Sequence, residues 1–167
     1  SPNRNLQNLV KGLVDVKQPI KLVIMGYGEF QQELKKIADG LGISHKVIFV
    51  PKKTQQELLY YTASADIGII PYPYKLDPNT KYSSPNKLYE FIAARIPIIC
   101  NVLPFVSSIV DGEKFGRSYE MDSPKSIAHA LNNFPYKKLD VFKSNLEKLG
   151  DNYLWQAEAP KLLEIYR

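Results

Sequence analysis

Four short apolar runs constrain the fold of this chain more than any other feature of its sequence. They are rich in β-branched residues, show no alternation of polar and apolar side chains, and span residues 20–25, 47–50, 67–70 and 96–100. Strands of this kind are typical of a parallel sheet that helices cover on both sides. We therefore expect four parallel strands that are buried on both faces.

The segments between these runs predict helices. Residues 29–39 carry apolar side chains at helical spacing and stop at Gly40. Thr54 and Glu57 form a capping box at the start of a second helix, and residues 84–95 form a third. Strands that alternate with helices predict an α/β fold with a doubly wound, mostly parallel, Rossmann-like sheet in three layers, αβα.

The sequence opens on a helical pattern rather than on a strand. Apolar residues recur at helical spacing over residues 3–16, whereas a doubly wound domain normally begins with a strand. We therefore expect residues 1–167 to be a single domain of a longer protein. The first strand of that domain would then lie before Ser1.

The last third of the sequence predicts helices only. One helix opens at Ser123, and residues 141–149 and 153–166 carry apolar residues without a strand pattern. We expect residues 141–167 to pack as peripheral helices on the outside of the sheet.

Composition narrows the class of protein and its compartment. The 167 residues, of which 44% are hydrophobic and 23% charged, suit one compact soluble domain. No apolar run approaches the roughly 20 residues needed to span a bilayer, and no signal peptide opens the sequence. Cys100 is the one cysteine, which excludes internal disulfides and Cys-rich zinc sites. These features predict a cytosolic protein.

The charged residues and histidines favour a small anionic ligand. The net charge is +5, but the lysines are scattered among acidic residues, so we expect no nucleic acid partner. His45 and His129 are expected to be solvated surface residues. Because no His, Asp or Glu cluster has metal-ligand spacing, we expect neither a metal nor another cofactor.

The start of the third predicted helix has the features of an anion site. Ser84 can serve as its N-cap and Pro85 suits the first helical position. Lys87 then occupies the third position, where a capping box would place Glu or Gln, and a cation there fits an anion held by the helix N–H groups. Glu90 lies on the same face and can accept hydrogen bonds from a sugar diol. The alternative is a surface helix on which Lys87 and Glu90 pair with each other.

The loops after the first two strands are further candidates, because ligands of open α/β sheets bind beyond the carboxyl ends of the strands. Gly26 and Gly28 form the opening half of a dinucleotide fingerprint, but Gln31 stands where the third glycine belongs, which argues against a dinucleotide. These glycines either admit a ligand close to the backbone or form an ordinary tight turn. Lys52 and Lys53 either reach phosphates beside a base pocket or form a solvated basic turn.

The third strand is followed by a long irregular stretch, residues 71–83. Its first half is rich in proline and tyrosine, and it leads directly into the helix of Lys87 and Glu90. Loops of this length are often functional.

Taken in order, several of these segments resemble a known family. The glycine turn after a strand, Asp66 before the third strand, the Ser-Pro-Asn-Lys-Leu-Tyr-Glu segment ending at Glu90, and the strand at residues 96–99 resemble the nucleotide-sugar-binding half of retaining glycosyltransferases. These enzymes have the glycosyltransferase B fold, and the resemblance is to their fourth sequence family. It covers nearly the whole chain, including the tail with Trp155.

The resemblance implies a role for each matching residue. Glu90 corresponds to the second glutamate of a Glu-x7-Glu motif, which binds the ribose hydroxyls of the donor nucleotide. The backbone amides of a helix start face the donor diphosphate, and a basic residue near the amino terminus contacts phosphate. A glycine turn admits the donor, and a loop lies beside the base. The helix start corresponds to Asn86, Lys87 and Leu88, and the basic residue corresponds to Arg4. The glycine turn corresponds to Gly26 and Gly28, and the loop beside the base to Val50 and Lys53.

The sequence departs from the pattern of the family at two positions, one on the side of the donor sugar and one at the end of the helix. Tyr82 stands where the motif has its first glutamate, which touches the donor sugar, so Tyr82 and Ser84 are the candidates on the sugar side. Arg95 replaces a glycine that is common between the helix and the next strand. We interpret both as divergence within the family.

The resemblance implies a cytoplasmic hexosyltransferase-like enzyme of polysaccharide or glycolipid synthesis. It would transfer a sugar, with retention, from a nucleoside diphosphate sugar to a saccharide or lipid-linked acceptor bound by an absent amino-terminal domain. Peripheral association of the full-length enzyme with the inner face of the membrane is part of this expectation, as is inactivity of the isolated fragment. No catalytic residue is assigned. The alternatives are a nucleotide-sugar epimerase of the same architecture and a non-catalytic nucleotide-sugar-binding module.

Overall fold

A computed structural model describes residues 4–26, 28, 30–73 and 78–165 of the chain. Strands and helices alternate along these residues, as the sequence predicts. The strands are β1 (Leu22–Met25), β2 (Val47–Val50), β3 (Gly68–Ile70), β4 (Ile98–Asn101) and β5 (Gly116–Tyr119). The α-helices are α1 (Leu6–Gly12), α2 (Phe30–Gly40), α3 (Gln55–Ala63), α4 (Pro78–Lys81), α5 (Asn86–Ala93), α6 (Pro104–Gly112), α7 (Pro124–Asn133), α8 (Leu139–Leu149) and α9 (Trp155–Ile165).

All strand pairs are parallel, but the strands form two separate sheets. One contains β1 and β2, and the other has the order β3-β4-β5. The four predicted strands are present with ends shifted by up to two residues. β5 was not predicted, because its sequence Gly-Arg-Ser-Tyr contains no apolar run.

Helices cover the sheets from two sides and create two cores. One core contains side chains of α1, α2 and α7, and the other contains side chains of α5, α6 and α8. Strand β4 contributes side chains to both cores, since Ile99 belongs to the first core and Ile98 and Cys100 belong to the second. This is the predicted three-layer αβα arrangement.

The prediction that every strand is buried on both faces is wrong for β1 and β2. Val23 and Ile48 are opposite each other in the register and are 49% and 41% exposed. Leu22 and Ile24, on the other face, pack against the first core. Only one face of this two-stranded sheet is therefore well covered, whereas β4 is buried throughout.

Helix α5 packs unusually close to β3. A Cβ atom added at Gly68 would lie 2.4 Å from the ring of Phe91. Glycine at this position lets the Phe91 ring rest on the strand backbone, which fixes the second half of α5 beside the first residue of β3.

Candidate functional site

The carboxyl end of β3 and the start of α5 meet at one edge of the sheet, where the sequence places the candidate site. β3 runs into residues 71–73, and α5 begins at Asn86. Residues 74–77 of the proline- and tyrosine-rich loop lie outside the described residues, and residues 78–81 form α4.

Helix α5 begins one residue later than predicted. Pro85 is the N-cap, with an extended backbone (φ −73°, ψ 138°), so Lys87 is the second helical residue and not the third. Ser84 does not cap the helix, because its Oγ forms a 2.8 Å hydrogen bond with the hydroxyl of Tyr89 instead. The N–H of Leu88 donates to the carbonyl of Pro85. No described side chain caps α5, so its first amides remain available to an anion.

Lys87 and Glu90 form an ion pair on the exposed side of α5. The Lys87 Nζ lies 2.5 Å from Glu90 Oε2, and the two side chains are 36% and 27% exposed. This is the pairing that the sequence left open as the alternative to an anion site. A partly exposed pair of this spacing contributes only about 0.3–0.5 kcal/mol. A ligand that binds either side chain can therefore displace it at little cost.

Tyr72 packs against the predicted site residue Arg4. The guanidinium of Arg4 lies over the Tyr72 ring, 5.5 Å from its centroid. Burial raises the pKa of the Tyr72 hydroxyl, the nearby charge of Arg4 lowers it, and the charge of Glu90 raises it further. Arg4 and Glu90 are therefore both close enough to Tyr72 to influence its ionisation. Tyr72 was missed by the sequence analysis, and its position two residues after a buried strand was the available signal.

Asn101, the last residue of β4, forms hydrogen bonds to several segments at this edge of the sheet. It is fully buried, and its Nδ2 donates to the carbonyl of Tyr72 (2.9 Å) and to Oδ1 of Asp122 (2.7 Å). Its Oδ1 accepts from the amides of Val102 (2.9 Å) and Met121 (3.0 Å). One amide side chain thus joins the segments that follow β3, β4 and β5. The sequence analysis did not identify it, although a polar residue ending an apolar run was visible.

The start of α1 is fixed to the same network, which positions Arg4. Asn5 has a left-handed backbone (φ 58°) and is buried. Its Nδ2 donates to the carbonyl of Met121 (2.7 Å), and Asn8 donates to the carbonyl of Asp122 (3.2 Å). Arg4 therefore lies at this edge because the helix behind it is anchored there.

The predicted residues after β1 and β2 lie beside each other at the carboxyl end of their own sheet. The N–H of Gly26 donates to the carbonyl of Val50 (3.0 Å). Gly26 has a positive φ of 132°, and no described atom lies within 4 Å of where a Cβ of Gly26 or Gly28 would be. The backbone is open to a ligand here.

Lys53 is directed along α3. Its ammonium lies 4.2 Å from the centroid of the Tyr61 ring. The hydrogen bond with Tyr61 raises the pKa of Lys53 above its ordinary value. Lys53 therefore remains charged, but its charge is on the α3 side of the loop.

Tyr82 and Arg95, the two departures from the family pattern, have different surroundings. Tyr82 follows α4 and is 65% exposed, with the Lys81 ammonium 5.2 Å from its ring centroid. Arg95 has the left-handed conformation that favours glycine (φ 57°). Its guanidinium donates to the carbonyl of Leu146 (3.0 Å) and pairs with Asp151. The arginine thus keeps the glycine conformation and joins α5 to the carboxy-terminal helices.

Other polar and reactive groups have ordinary structural surroundings. His45 and His129 are exposed, and Cys100 is fully buried, which raises the pKa of its thiol. Within the described residues no group of three or more His, Cys, Asp or Glu side chains is arranged to hold a metal ion. In the same part of the chain, no helix is both long and apolar enough to cross a membrane.

Comparison with known sequences identifies one family. The family model described as "Glycosyl transferases group 1" matches residues 1–149. Alpha-monoglucosyldiacylglycerol synthase of Streptococcus pneumoniae is 27% identical over 136 residues, which cover 78% of this chain and 29% of that protein.

Comparison with solved structures shows the same fold in enzymes of low sequence identity. Sucrose-phosphate synthase of Thermosynechococcus elongatus aligns with a TM-score of 0.82 at 16% identity, over 100% of this chain and 42% of that one. HepE of Anabaena, solved in complex with UDP-glucose, aligns with a TM-score of 0.71 at 16% identity, over 91% of this chain and 42% of that one. The predicted Rossmann-like α/β fold is confirmed. The chain spans less than half the length of these three relatives.

Proposed function

Because this chain belongs to the glycosyl transferases group 1 family, we propose that it is the donor-binding domain of a glycosyltransferase. Its ligand is a nucleoside diphosphate sugar, bound across the carboxyl edge of the sheet. The observation that carries this proposal is the position of Arg4 over Tyr72, two residues after β3, together with the uncapped start of α5. The complex of HepE with UDP-glucose, a protein of the same fold, supports it.

The diphosphate binds at the start of α5. The backbone amides of Asn86 and Lys87 supply donors at the positive end of the helix dipole, next to the amide of Leu88, which also bonds to the carbonyl of Pro85. Arg4 contributes a second cation from the start of α1, held over Tyr72. When the ligand binds, the weak ion pair between Lys87 and Glu90 breaks. The ammonium of Lys87 then contacts a phosphate, and the carboxylate of Glu90 contacts the diol of the ribose.

The nucleoside extends from the diphosphate toward the other sheet. Glu90 accepts hydrogen bonds from the ribose hydroxyls. Gly26 and Gly28 allow the ligand to approach the backbone, and the loop from Val50 to Lys53 lies beside the base. The donor sugar faces Tyr82 and Ser84.

The chemical contribution of this domain is stabilisation of the leaving group. As the glycosidic bond breaks, negative charge develops on the diphosphate, and preorganised amides and cations lower the energy of that charge. No general base is assigned, because retention in this fold does not rely on a pair of carboxylates like that of glycosidases. The proposed transfer of a hexose proceeds with retention and requires no metal.

The acceptor is a saccharide or a lipid-linked sugar, bound by an amino-terminal domain outside this sequence. The similarity to a synthase of glucosylated diacylglycerol supports a lipid acceptor. An enzyme of this kind works in the cytoplasm, associated peripherally with the inner face of the membrane, in glycolipid or polysaccharide synthesis.

Calorimetric titration at low salt with UDP, GDP and ADP tests the proposal directly. We expect at least one of the three to bind, with inorganic pyrophosphate binding more weakly because it lacks the ribose. Absence of binding by all three nucleotides would contradict a donor-binding role.

A non-catalytic nucleotide-sugar-binding module is the second candidate. The exposed Tyr82 in place of a sugar-contacting glutamate favours it. Full-length protein incubated with a panel of donor sugars separates the two functions, because a module binds the donor without releasing its sugar.

A further inference from the structure

The side chain of Asn101 uses its full capacity for hydrogen bonds. A side-chain amide has two N–H donors and an oxygen that can accept two bonds. The two donors of Asn101 bond to the carbonyl of Tyr72 and to Asp122. Its oxygen accepts from the amides of Val102 and Met121. Because the side chain is fully buried, a substitution that removes one of these bonds leaves a buried polar group without its partner.

Two of these four bonds lead to Arg4 from different sides. The first holds the carbonyl of Tyr72, and the Arg4 guanidinium lies 5.5 Å from the centroid of the Tyr72 ring. The second holds the N–H of Met121, whose carbonyl accepts from Nδ2 of Asn5 (2.7 Å). Asn5 is the neighbour of Arg4 in the chain. Asn101 therefore fixes both the ring on which the guanidinium packs and the backbone from which the Arg4 side chain extends.

The bond from Asn101 to Asp122 strengthens the hold on the start of α1. The carbonyl of Asp122 accepts from Nδ2 of Asn8 (3.2 Å), and the same nitrogen donates to Oδ1 of Asn5 (2.8 Å). Two successive residues, Met121 and Asp122, thus anchor α1, and Asn101 bonds to both of them. The backbone beside Arg4 is held at more than one point.

Arg4 benefits from this support because its side chain is exposed. An exposed arginine samples many conformations, and ordering it when a ligand binds costs conformational entropy. A fixed backbone and an aromatic ring under the guanidinium reduce that cost, since the cation is already in place before the ligand arrives.

We propose that Asn101 is a positioning residue for Arg4 and that, through Arg4, it increases the affinity of the protein for the diphosphate of its ligand. Asn101 itself is buried and does not contact the ligand in this role. The proposal rests on the proposed function, in which Arg4 contacts the diphosphate.

The position of the Arg4 guanidinium can be measured without a ligand, by NMR of the full-length protein. An aromatic ring shifts the signals of groups that pack on its face. Asn101→Asp keeps the size and the acceptor oxygen of the side chain but removes both donors, so it releases the carbonyl of Tyr72. We expect the Arg4 signals to move toward those of a Tyr72→Leu variant, in which the ring is absent. Unchanged Arg4 signals in a folded Asn101→Asp protein would overturn the proposal.

Asn132 offers a matched control. Its Nδ2 donates to the carbonyl of Asp15 (2.9 Å), and its Oδ1 accepts from the amide of Lys17 (2.8 Å). Asn132→Asp therefore removes the same chemical group beside residues that follow α1, whereas Asn101 acts at the start of that helix. We expect this variant to keep both the Arg4 signals and the ligand affinity of the unsubstituted protein.

A double-mutant cycle of Asn101→Asp and Arg4→Ala, measured by calorimetric titration of the full-length protein, tests the consequence for binding. With Arg4 present, Asn101→Asp should weaken binding of nucleoside diphosphate and of inorganic pyrophosphate alike, by about 10-fold, because both carry the diphosphate. In the Arg4→Ala background the same substitution should change either affinity by less than about twofold. Equal losses in the two backgrounds would overturn the proposal, because Asn101 would then act on the site without Arg4.

Asn5→Gly keeps the proposal testable if urea unfolding shows that Asn101→Asp is poorly folded. Glycine suits the left-handed backbone at this position (φ 58°), and the substitution removes the bond to Met121. It should also weaken diphosphate binding, and only when Arg4 is present; unchanged binding would count against the proposal. If the unsubstituted protein binds none of UDP, GDP and ADP, the proposed function fails and this role fails with it. If it binds one of them but the cycle shows no coupling, only the role of Asn101 fails.

Discussion

The carboxylate of Glu90 can pair with Lys87 or, in the proposed site, accept hydrogen bonds from the ribose of the ligand. These two interactions differ in energy. In the free protein it pairs with Lys87 on a partly exposed helix face, an interaction of small energy. A ribose diol offers two hydroxyl donors to the same carboxylate. Hydrogen bonds to a charged group contribute about 1.5–3 kcal/mol, so the ligand contact outweighs the ion pair.

We predict that Glu90→Ala weakens binding of a nucleoside diphosphate by about 10- to 100-fold, the range equivalent to one such hydrogen bond. Binding of inorganic pyrophosphate should change little, because in the proposed site Glu90 contacts ribose and the amides of α5 contact phosphate. Calorimetric titration of both ligands measures the difference. Ser108→Ala, an exposed residue of α6, is the control substitution. Equal losses for the two ligands would contradict the ribose role.

At the scale of elements, the second half of α5 is held by two contacts. Phe91 packs on Gly68, the first residue of β3, and Arg95, just beyond the helix, is bonded to the carboxy-terminal segment. The guanidinium passes directly over Gly150, where an added Cβ would lie 2.0 Å from Arg95 Nη1. A side chain at position 150 would therefore displace the guanidinium of Arg95.

We predict that Gly150→Ala destabilises the protein by about 1–3 kcal/mol, since the methyl group displaces the guanidinium from the Leu146 carbonyl and Asp151. In an Arg95→Gly background the same substitution should cost less than about 1 kcal/mol, because glycine suits the left-handed conformation and leaves space for the methyl group. Urea unfolding of the four proteins in this double-mutant cycle measures the coupling. Additive effects would show that Arg95 and Gly150 are energetically independent.

As a whole, the described part of the molecule would form one wall of the proposed ligand site. The candidate residues lie along an open sheet edge, and two cavities of about 160 and 530 Å³ lie against α2 instead. The proposed acceptor domain would supply the opposite wall and exclude water from the reacting bond.

We therefore predict that the 167-residue chain binds the donor nucleotide but transfers no sugar. Donor hydrolysis and transfer to lipid or saccharide acceptors, assayed side by side with the full-length protein, measure this. Sugar transfer by the isolated chain at a rate comparable with the full-length protein would show that this domain holds the acceptor as well.

The sequence by itself determined the fold class and the helix that carries Lys87 and Glu90. Strand and helix patterns depend on neighbours a few residues apart, so apolar runs, capping residues and glycines were sufficient to predict four of the five strands found in the described residues. The same locality explains the errors. β5 lacks an apolar run, and the choice between Ser84 and Pro85 as N-cap depends on the contact of Ser84 with Tyr89.

Only the tertiary structure decided which residues meet. Asn5 and Met121 are 116 positions apart, and Asn101 bonds to Tyr72 across 29. Such contacts arise from how the strands are ordered and where the helices cross, which no local pattern encodes. The same is true of the separation of β1 from β3, since strand propensity predicts that a segment is extended but not which edge it pairs with. The position of Arg4 over Tyr72 and the division of the strands between two sheets therefore became visible only once the chain was folded.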